Sequence, residues 1–369
     1  MASGERPAAG SSDVTARYGH GLIVSKFYPP HAGHHFLIDT AASMCDRLTV
    51  VLAASAQESI PAELRAAWLE ERHPGVTIAW GYDEHPVDYD DPQIWDAHMA
   101  VFRSLCPEPV DAVFSSEPYG AELARRFGAA EVAVDIERST VPVSGTAVRA
   151  DPRAHWGQLE PPVRAWLVKR VAIVGAESTG TTTLARDLAA HYDTAWVPEY
   201  GRTLTEERIA AGTPVEDIQW TDADFVMIAR RQQRDEDAAA RASGPVLICD
   251  TDALATCIWQ ERYLGRSTDD VEAIAASRSY ALTILTDDDT PFEQDGARDG
   301  EHLRHWMTER FAHRLGERGG VSLCVSGSRA ERLAAAVSAI DAILDAGWDL
   351  APPIQPARGR DRDNDAVAD

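Results

Sequence analysis

The first residues that could do chemistry on a phosphate lie between a short apolar segment and a helical pattern. The stretch from Phe27 to His34 reads F-Y-P-P-H-A-G-H, and apolar residues at helical spacing follow it. The start of a helix binds phosphate through free N–H groups and the positive end of the helix dipole. Gly33 allows close backbone approach, and His31 and His34 add donors for triphosphate oxygens. Either histidine alone could be an incidental surface residue, but the whole stretch predicts an ATP-phosphate loop beginning at Phe27.

A second anion-binding pattern occurs further along, in the string S-G-T-A-V-R from Ser144 to Arg149. Hydroxyls and amides at a helix start, together with one arginine, form a clamp for an anion. Taken alone, the string could be an ordinary helix cap. Because it closes the same α/β pattern that the first loop opens, we predict that Ser144, Thr146 and Arg149 bind the same ATP.

Another phosphate loop is predicted from Gly175 to Thr183, which reads G-A-E-S-T-G-T-T-T. Its glycines, Gly175 and Gly180, have the spacing of G-x-x-x-x-G-K-[ST], between an apolar strand and a helical pattern. Thr181 occupies the position of the lysine that contacts the β- and γ-phosphates in such loops. The amides of this loop and the hydroxyls of Thr181 to Thr183 could still cradle phosphate, and Thr182 could ligate Mg²⁺. The alternative is a glycine-rich turn without nucleotide.

Charged and aromatic residues occur at the ends of the later strands. Asp250 and Asp252 follow the strand V-L-I-C, where carboxylates could hold Mg²⁺ or act as a base. Arg298, in the string D-G-A-R, could reach a transferring phosphate from a mobile lid. The string E-Y-G-R could face an acceptor nucleoside, through Glu199, Tyr200 and Arg202. The respective alternatives are a strand-terminal cap, a charged loop and a surface loop.

The elements that must carry these residues alternate between strand and helix patterns in two series. The first series runs from a strand at 21–24 to a helix near 120–127. The second begins with a strand at 170–174 and ends with a helix near 329–345. Such alternation predicts an α/β protein with two parallel sheets, each covered by helices.

Two domains are the expectation for a chain of 369 residues. We predict them at 19–160 and 168–347, with the boundary in the stretch 156–169, where two consecutive prolines interrupt the pattern. The lead-in 1–18 and the charged, proline-containing tail 350–369 are predicted to be disordered.

Composition excludes several classes of function. The formal net charge of −24 argues against general binding to nucleic acid or to anionic membranes, which requires a positive field. The five cysteines form no C-x-x-C pair or disulfide framework, which favours a reducing, cytoplasmic compartment. No apolar stretch approaches the roughly 18–20 residues of a membrane helix, and the first residues lack the apolar core of a signal peptide.

The string H-x-G-H after a strand and F-x-P-P resembles the signature of the HxGH nucleotidyltransferases. The S-x-T-x-[IV]-R segment of that family is matched by Ser144, Thr146 and Arg149. The resemblance implies a Rossmann-like sheet and adenylyl transfer without a covalent enzyme intermediate. A phosphate on the acceptor would attack the α-phosphorus of ATP, and pyrophosphate would leave. The protein would position the reactants and stabilise charge, with Mg²⁺ shielding the phosphates.

The order of the motifs is more specific than any one of them. An HxGH domain followed by a P-loop domain with E-Y-G-R and D-T-D resembles the bifunctional nicotinamide-mononucleotide adenylyltransferase/ribosylnicotinamide kinase of bacterial NAD salvage, over roughly residues 20–345. This resemblance implies a kinase-like second domain that phosphorylates ribosylnicotinamide, and a first domain that adenylates the product to NAD. The implied partners are small molecules: ATP, nicotinamide mononucleotide and ribosylnicotinamide. The oligomeric state stays open, a homo-oligomer included.

The resemblance also implies a role for each matching residue. ATP would be bound in the first domain by His31, His34, Ser144, Thr146 and Arg149, and in the second by Gly175, Gly180 and Thr182. Asp250 would be the base or an Mg²⁺ residue. The nucleoside would lie near Glu199, Tyr200, Arg202 and Asp252. Trp95 would stack on nicotinamide, or would instead be a core aromatic.

Two departures from the family pattern affect these expectations. About 20 residues precede the first strand, too few for the helix-turn-helix module of some family members, so DNA binding is not expected. Thr181 in place of lysine leaves the kinase step open. One alternative is therefore an adenylyltransferase with a catalytically inactive P-loop domain that senses nucleotide. Another is a transferase for a different acceptor, such as phosphopantetheine or a sugar phosphate, fused to an unrelated kinase.

Overall fold

The computed structural model describes residues 17–88, 90–298 and 300–354, and it divides into two compact units. Unit 1 comprises the chain to Ala150 together with the described residues from Asp349 onward. Unit 2 runs from Asp151 to Trp348. The junction between them therefore lies a few residues before the predicted stretch 156–169.

Unit 1 is a five-stranded parallel sheet with the strand order β3-β2-β1-β4-β5. Its elements are β1 (Tyr18–Ser25), α1 (Ala32–Met44), β2 (Cys45–Ala54), α2 (Ala62–Arg72), β3 (Thr77–Tyr82), α3 (Pro92–Leu105), β4 (Ala112–Ser115), α4 (Gly120–Phe127), β5 (Ala130–Ala133) and α5 (Gly145–Ala150). The central strands are buried without a break from His20 to Val24 in β1 and from Leu48 to Ala54 in β2, as expected for a parallel sheet covered on both faces. The strand order reverses between β1 and β4, where open α/β sheets bind ligands.

Unit 2 is also a five-stranded parallel sheet, with the order β10-β9-β6-β8-β7. Its elements are α6 (Pro161–Leu167), β6 (Lys169–Gly175), α7 (Thr181–His191), β7 (Trp196–Val197), α8 (Tyr200–Ala210), α9 (Asp222–Ala240), β8 (Val246–Asp250), α10 (Ala253–Leu264), α11 (Asp269–Ala276), β9 (Leu282–Thr286), α12 (Arg304–Arg318), β10 (Ser322–Val325) and α13 (Arg329–Asp345). The central strand β6 is fully buried from Val171 to Val174.

The prediction of an α/β protein with two parallel sheets is confirmed. The consecutive prolines Pro161 and Pro162 do not interrupt the structure as expected but open α6, because proline is tolerated in the first turn of a helix. The short strand β5, with the weakly apolar sequence A-E-V-A, gave no clear pattern. None of the helices in the described part of the chain is long and apolar enough to cross a membrane.

The two segments predicted to be disordered, 1–18 and 350–369, lie only partly within the described residues. Residues 1–16 and 355–369 lie outside the described residues. The start of the predicted tail is described and contacts unit 1: the Ala351 amide donates to Ser59 Oγ at 2.8 Å, and the Tyr28 hydroxyl donates to the Ala351 carbonyl at 2.8 Å. The residue Tyr28 lies in the first phosphate loop, so the described part of the tail buttresses that loop.

Candidate active sites

The first loop connects β1 to α1 and brings both predicted histidines into one stack. His31 is the N-cap residue of α1 and is buried. Its ring stacks on that of His34, with centroids 3.7 Å apart. Phe27 also packs on His34, with ring centroids 4.8 Å apart. Phe27 is fully buried, so it supports His34 from within the core. Two imidazoles are thereby held at the start of a helix.

The surroundings of His34 keep its ring neutral. Burial, followed by the neighbouring His31, holds the pKa of His34 well below its usual value. Its Nδ1 atom is buried and has no hydrogen-bond partner among the described residues. Since an unpartnered buried polar atom is costly, a bound ligand would supply a missing partner here. A neutral imidazole at this place can donate one hydrogen bond to a phosphate oxygen.

The S-G-T-A-V-R string forms the start of α5 and lies against the first loop. Ser144 Oγ accepts from the Ala147 amide at 3.1 Å and so caps the helix. Arg149 Nη1 donates to the Tyr28 carbonyl at 2.6 Å, and Nη2 donates to Thr146 Oγ1 at 3.2 Å. A Cβ at Gly145 would lie 3.3 Å from that carbonyl, so glycine allows the close approach. The fold therefore joins two strings that are more than a hundred residues apart in sequence.

A cavity opens between these two segments. It is lined by five of the residues in the two strings, His31, Gly33, His34, Ser144 and Gly145. Phe27, Thr146 and Arg149 border these residues without lining the cavity. Sequence reasoning missed Arg138, which lines the cavity and donates to Glu117 Oε1 at 2.6 Å. Arg138 follows β5, the strand that showed no pattern, so nothing in the sequence placed it near the histidines.

Trp95 lies in the core of unit 1. Its side chain is buried among Leu22, Val24 and Met99, under the guanidinium of Arg126 at 5.3 Å from the ring centroid. It does not line the cavity between the two strings. Its packing is that of a core aromatic, and the nicotinamide-stacking role stays a prediction.

The second loop connects β6 to α7 and depends on its two glycines. A Cβ at Gly175 would come within 2.2 Å of Thr286 Oγ1, so no larger residue fits there. Gly180 has φ +87 and precedes the first residue of α7, Thr181. Such a loop directs backbone N–H groups toward an anion at the helix start. The segment therefore has the local form of a phosphate loop, and its binding of nucleotide stays a prediction.

Two carboxyl groups face this loop. Thr182 Oγ1 donates to Asp250 Oδ2 at 2.6 Å, at the end of β8. Burial raises the pKa of Asp250 to about 6, and burial together with the charge of Asp250 raises the pKa of Glu199 to about 8. Carboxyl groups that titrate near neutrality inside a cleft are candidates for proton transfer.

Asp252 has a different environment from Asp250. Its Oδ1 accepts from the Ala255 amide at 2.8 Å and caps α10, and its Oδ2 lies 2.7 Å from Arg318 Nη1. The side chain is fully buried and does not line the cavity of unit 2. These contacts account for an aspartate at this position, and its predicted role near the nucleoside stays a prediction.

The cavity of unit 2 joins the loop to the start of α8. Glu199 is the N-cap of that helix, and Arg202 in the first turn also lines the cavity. Tyr200 lies in the same turn but outside the lining, with the Arg231 guanidinium 5.0 Å from its ring centroid. The E-Y-G-R string is therefore a helix start, and two of its predicted substrate residues face the cavity.

Four aromatic residues close the far side of this cavity, and we call them the aromatic box: Trp220, Phe225, Trp259 and Tyr263. Trp220 and Tyr263 have ring centroids 5.6 Å apart, and Trp259 stacks on Tyr263 at 6.2 Å. Flat aromatic faces of this kind suit a planar heterocycle. Sequence reasoning missed the box because its members come from two helices and the segment before one of them.

Arginines occupy the neighbourhood of the substituted lysine. Arg298 Nη1 donates to Ser178 Oγ in the second loop at 3.3 Å, and Arg298 lines the cavity. Asp295 accepts from Arg202 at 2.7 Å and lies 3.3 Å from Arg298. The segment predicted as a lid thus contacts both the phosphate loop and α8, and it brings positive charge to a loop whose lysine position is Thr181.

The fold defines an α/β protein of two units, each built on a five-stranded parallel sheet, and the loop of the second unit has the local form of a P-loop. The family described as an AAA domain matches residues 170–332, within unit 2. The chain is 28% identical over 300 residues to the "Trifunctional NAD biosynthesis/regulator protein NadR" of Escherichia coli strain K12. This alignment covers 75% of this chain and 71% of the relative. The protein of that name from Salmonella typhimurium gives the same figures.

Solved structures agree over most of the chain. The crystal structure of NadR protein in complex with NR has a TM-score of 0.71 at 20% identity, covering 89% of this chain and 98% of that one. The crystal structure of NadR protein in complex with NAD and AMP-PNP has a TM-score of 0.69 at 21% identity, with the same coverage. These comparisons confirm the family resemblance stated from the sequence: the chain is similar to the NadR proteins in sequence and in fold.

Proposed function

We propose that this protein is an NAD salvage enzyme that acts in two steps. Unit 2 transfers phosphate from ATP to ribosylnicotinamide, and unit 1 then transfers the adenylyl group of ATP to the resulting mononucleotide, giving NAD. The observation that carries the proposal is the cavity of unit 2, which is lined by the second loop, the carboxyl of Glu199 and the aromatic box, with Asp250 hydrogen-bonded to Thr182 of its lining. The similarity to the NadR proteins, one of them solved with NR, supports this choice of substrate.

In the kinase step, the heterocycle of the nucleoside would lie in the aromatic box and its primary hydroxyl would approach Asp250. The hydroxyl oxygen attacks the γ-phosphorus of ATP, the bond from that phosphorus to the β-γ bridging oxygen breaks, and ADP leaves. Asp250, whose pKa is about 6, is mostly ionised at pH 7 and can take the hydroxyl proton. Glu199, with a pKa of about 8, is mostly protonated and can donate a hydrogen bond to a ribose oxygen.

The donor set in this cavity suits Mg²⁺. Thr182 Oγ1 and Asp250 Oδ2 are two oxygens 2.6 Å apart beside the loop, and Mg²⁺ prefers oxygen ligands. Thr182 Oγ1 and Asp250 Oδ2 would hold the ion, which would shield the charge of the ATP phosphates when bound, and Oδ1 of Asp250 would accept the hydroxyl proton. The residues of the protein would then have only to orient the nucleoside and accept its proton.

Positive charge for the transferring phosphate would come from outside the loop. Thr181 supplies none, whereas Arg298 and Arg202 line the same cavity. Arg298 already contacts Ser178 of the loop. We therefore assign to Arg298 the stabilisation of γ-phosphate charge that the lysine provides in other P-loop kinases.

In the adenylyl step, a phosphate oxygen of the mononucleotide attacks the α-phosphorus of ATP, and the bond to the leaving pyrophosphate breaks. In this step no group of the protein is adenylylated or phosphorylated. The neutral ring of His34 would donate to a phosphate oxygen, with His31 beside it and Arg138 across the cavity. Their contribution is to orient the triphosphate and to stabilise the charge that develops on it.

The testing experiment supplies the purified protein with ribosylnicotinamide, ATP and Mg²⁺, and follows mononucleotide and NAD by chromatography. A parallel reaction starts from nicotinamide mononucleotide. We expect NAD in both reactions. NAD from the mononucleotide alone would contradict the kinase assignment. NAD in neither reaction would contradict the adenylyl step, and the absence of mononucleotide from the first reaction would contradict the kinase step as well.

A second candidate function follows from Thr181: unit 2 binds nucleotide without transferring phosphate, and reports its concentration to the adenylyltransferase. The missing lysine favours it, and the shifted carboxyls of Asp250 and Glu199 oppose it, since a sensor needs no base. A transferase for another phosphorylated acceptor is the third candidate. The parallel reactions distinguish these, because a sensing unit yields NAD only from the mononucleotide and a different acceptor yields none.

A further inference from the structure

Three side chains outside both cavities converge at the end of β3. Asp83 directly follows the strand, His85 lies two residues on, and His98 projects from α3. His85 Nδ1 is 2.8 Å from Asp83 Oδ1, and His98 Nδ1 is 2.5 Å from Asp83 Oδ2. One ligand atom from each residue lies within 4.8 Å of the other two, and no other such group of histidine, cysteine and carboxyl ligands occurs in the described residues.

The hydrogen bonds of His98 fix which of its nitrogens is available. Its Nε2 lies 3.1 Å from the carbonyl of Pro86, and because a carbonyl can only accept, Nε2 carries a proton. In the neutral ring the lone pair is therefore on Nδ1, directed at a carboxylate oxygen. A proton or a cation must lie between these two atoms. A backbone carbonyl that holds the far nitrogen of a histidine is also the usual partner of a metal-binding histidine.

The surrounding loop is held in place before any ligand arrives. The Asp83 amide donates to the Ala54 carbonyl at 2.8 Å. The next residue, Glu84, accepts from Ser55 Oγ at 2.8 Å and from the Ala56 amide at 2.7 Å. His98 stacks on Phe102 within α3, with centroids 5.9 Å apart. Two of the three ligands are thus fixed by packing, and only His85 has an exposed side chain, 44% accessible.

We propose that Asp83, His85 and His98 form a binding site for one divalent transition-metal ion of the zinc type. Two imidazole nitrogens and one carboxylate oxygen are a ligand set that suits Zn²⁺ and disfavours Mg²⁺, which prefers oxygen. Tetrahedral bonds of about 2.0–2.1 Å separate ligand atoms by about 3.3 Å. The two histidine nitrogens, now 2.8 Å and 2.5 Å from the Asp83 carboxylate oxygens, must therefore each move away from their oxygen by less than 1 Å when an ion is bound. The fourth position is left to water or to a substrate oxygen.

The site lies at the carboxyl edge of the unit 1 sheet, the edge at which the first phosphate loop also leaves β1. Asp83 is close enough to Lys26, the residue before that loop, for its charge to act on the lysine. A bound ion would tie the segment after β3 to α3 and would offset the negative charge of Asp83 there. The site does not depend on the proposed reactions, so it can be tested without them.

The test uses the full chain without an affinity tag, stripped of metal by a chelator and then titrated with Zn²⁺ by calorimetry. We expect one equivalent of Zn²⁺ to bind tightly, and Mg²⁺ not to compete. Asp83→Asn and His98→Gln should each weaken binding on the order of 100-fold. Co²⁺ as a second probe should give visible absorption of tetrahedral intensity in the wild type and not in these variants.

His85→Gln is the variant least able to disturb folding, since its side chain is exposed, and it should also weaken binding at least tenfold. His313→Gln, which removes an exposed histidine of α12, is the matched control and should bind as the wild type does. Circular dichroism of each stripped variant checks the fold. Equal Zn²⁺ affinity in the wild type and His85→Gln, or no uptake by the wild type at micromolar Zn²⁺, would overturn the proposal.

Discussion

The two loops that we propose to bind phosphate present different groups to an anion. The first loop places side chains, the stacked imidazoles of His31 and His34, where an anion would bind. The second loop offers mainly its backbone, shaped by Gly175 and Gly180, and has Thr181 where a charged residue is usual. Charge reaches the second loop from a separate segment through Arg298. Under the proposed function, the cation that the second loop lacks at position 181 is supplied by Arg298 from another part of the fold.

The same physical cause acts in opposite directions in the two units. Burial disfavours the charged form of any group. It lowers the pKa of the imidazole of His34 and raises the pKa values of the carboxyl groups of Asp250 and Glu199. Unit 1 consequently presents the neutral imidazole of His34 around neutral pH, whereas unit 2 presents carboxyls that can exchange protons. This difference matches a step that only stabilises phosphate charge and a step that must remove a proton from a hydroxyl.

Replacing the central imidazole of unit 1 should have the largest effect on catalysis. His34→Ala removes a preorganised phosphate donor, so NAD formation from the mononucleotide should fall by a factor of about 10² to 10⁴. Phosphorylation of ribosylnicotinamide should be unchanged. Steady-state rates of both reactions on one preparation measure this, with His313→Ala as the control. Equal loss of both activities would contradict two separate sites.

The reciprocal change in unit 2 should show the reverse pattern. Asp250→Asn keeps the shape but removes the negative charge and the capacity to accept a proton. The kinase rate should fall about 10²-fold to 10⁴-fold while adenylyl transfer continues. Asp270→Asn, at an exposed position of α11, is the matched control. An unchanged kinase rate would remove Asp250 from the mechanism.

A lysine at position 181 would test whether the second loop depends on charge from Arg298. If Arg298 supplies the missing charge, Arg298→Ala should reduce the kinase rate about 10-fold to 100-fold. Thr181→Lys should raise the rate of the wild type, and Arg298→Ala should cost much less in that background. Arg329→Ala, which removes an exposed arginine elsewhere in unit 2, is the control. The same loss in both backgrounds would mean that Arg298 and the lysine position act independently.

What the sequence could predict was set by how local each feature is. The strings around His31, Gly180 and Asp250 are contiguous and follow apolar strands, so the two sheets and both loops were predictable. The aromatic box was not, because Trp220 and Phe225 meet Trp259 and Tyr263 only when α9 packs on α10. Arg138 reaches the first cavity from a loop after a strand of four residues without a clear pattern. Pairwise distances between separate elements are a product of packing, and no short string encodes them.

The opposite directions of the pKa shifts should also appear in stability, as the smallest of these effects. His35, buried in α1 with Nδ1 2.9 Å from His73 Nε2, has its pKa lowered to about 3, chiefly by burial. Because the unfolded chain binds a proton there near pH 6.5 and the folded chain does not, this histidine stabilises the fold above pH 6.5, and that contribution is lost as the pH falls toward 3. By pH 5 the loss should be about 2 kcal/mol.

The measurement is the difference in unfolding free energy between the wild type and His35→Asn from pH 7 to pH 5. The substitution has its own cost, which is the same at each pH, so only the slope of the difference reports the titration. Glu199→Gln should show the opposite pH dependence. The pKa of Glu199 is raised to about 8, so its contribution is complete below about pH 4.5 and is lost as the pH rises toward 8. We expect the wild-type-minus-variant difference in unfolding free energy to rise with pH for His35→Asn and to fall with pH for Glu199→Gln. The same direction for both variants would show that burial does not keep both groups neutral.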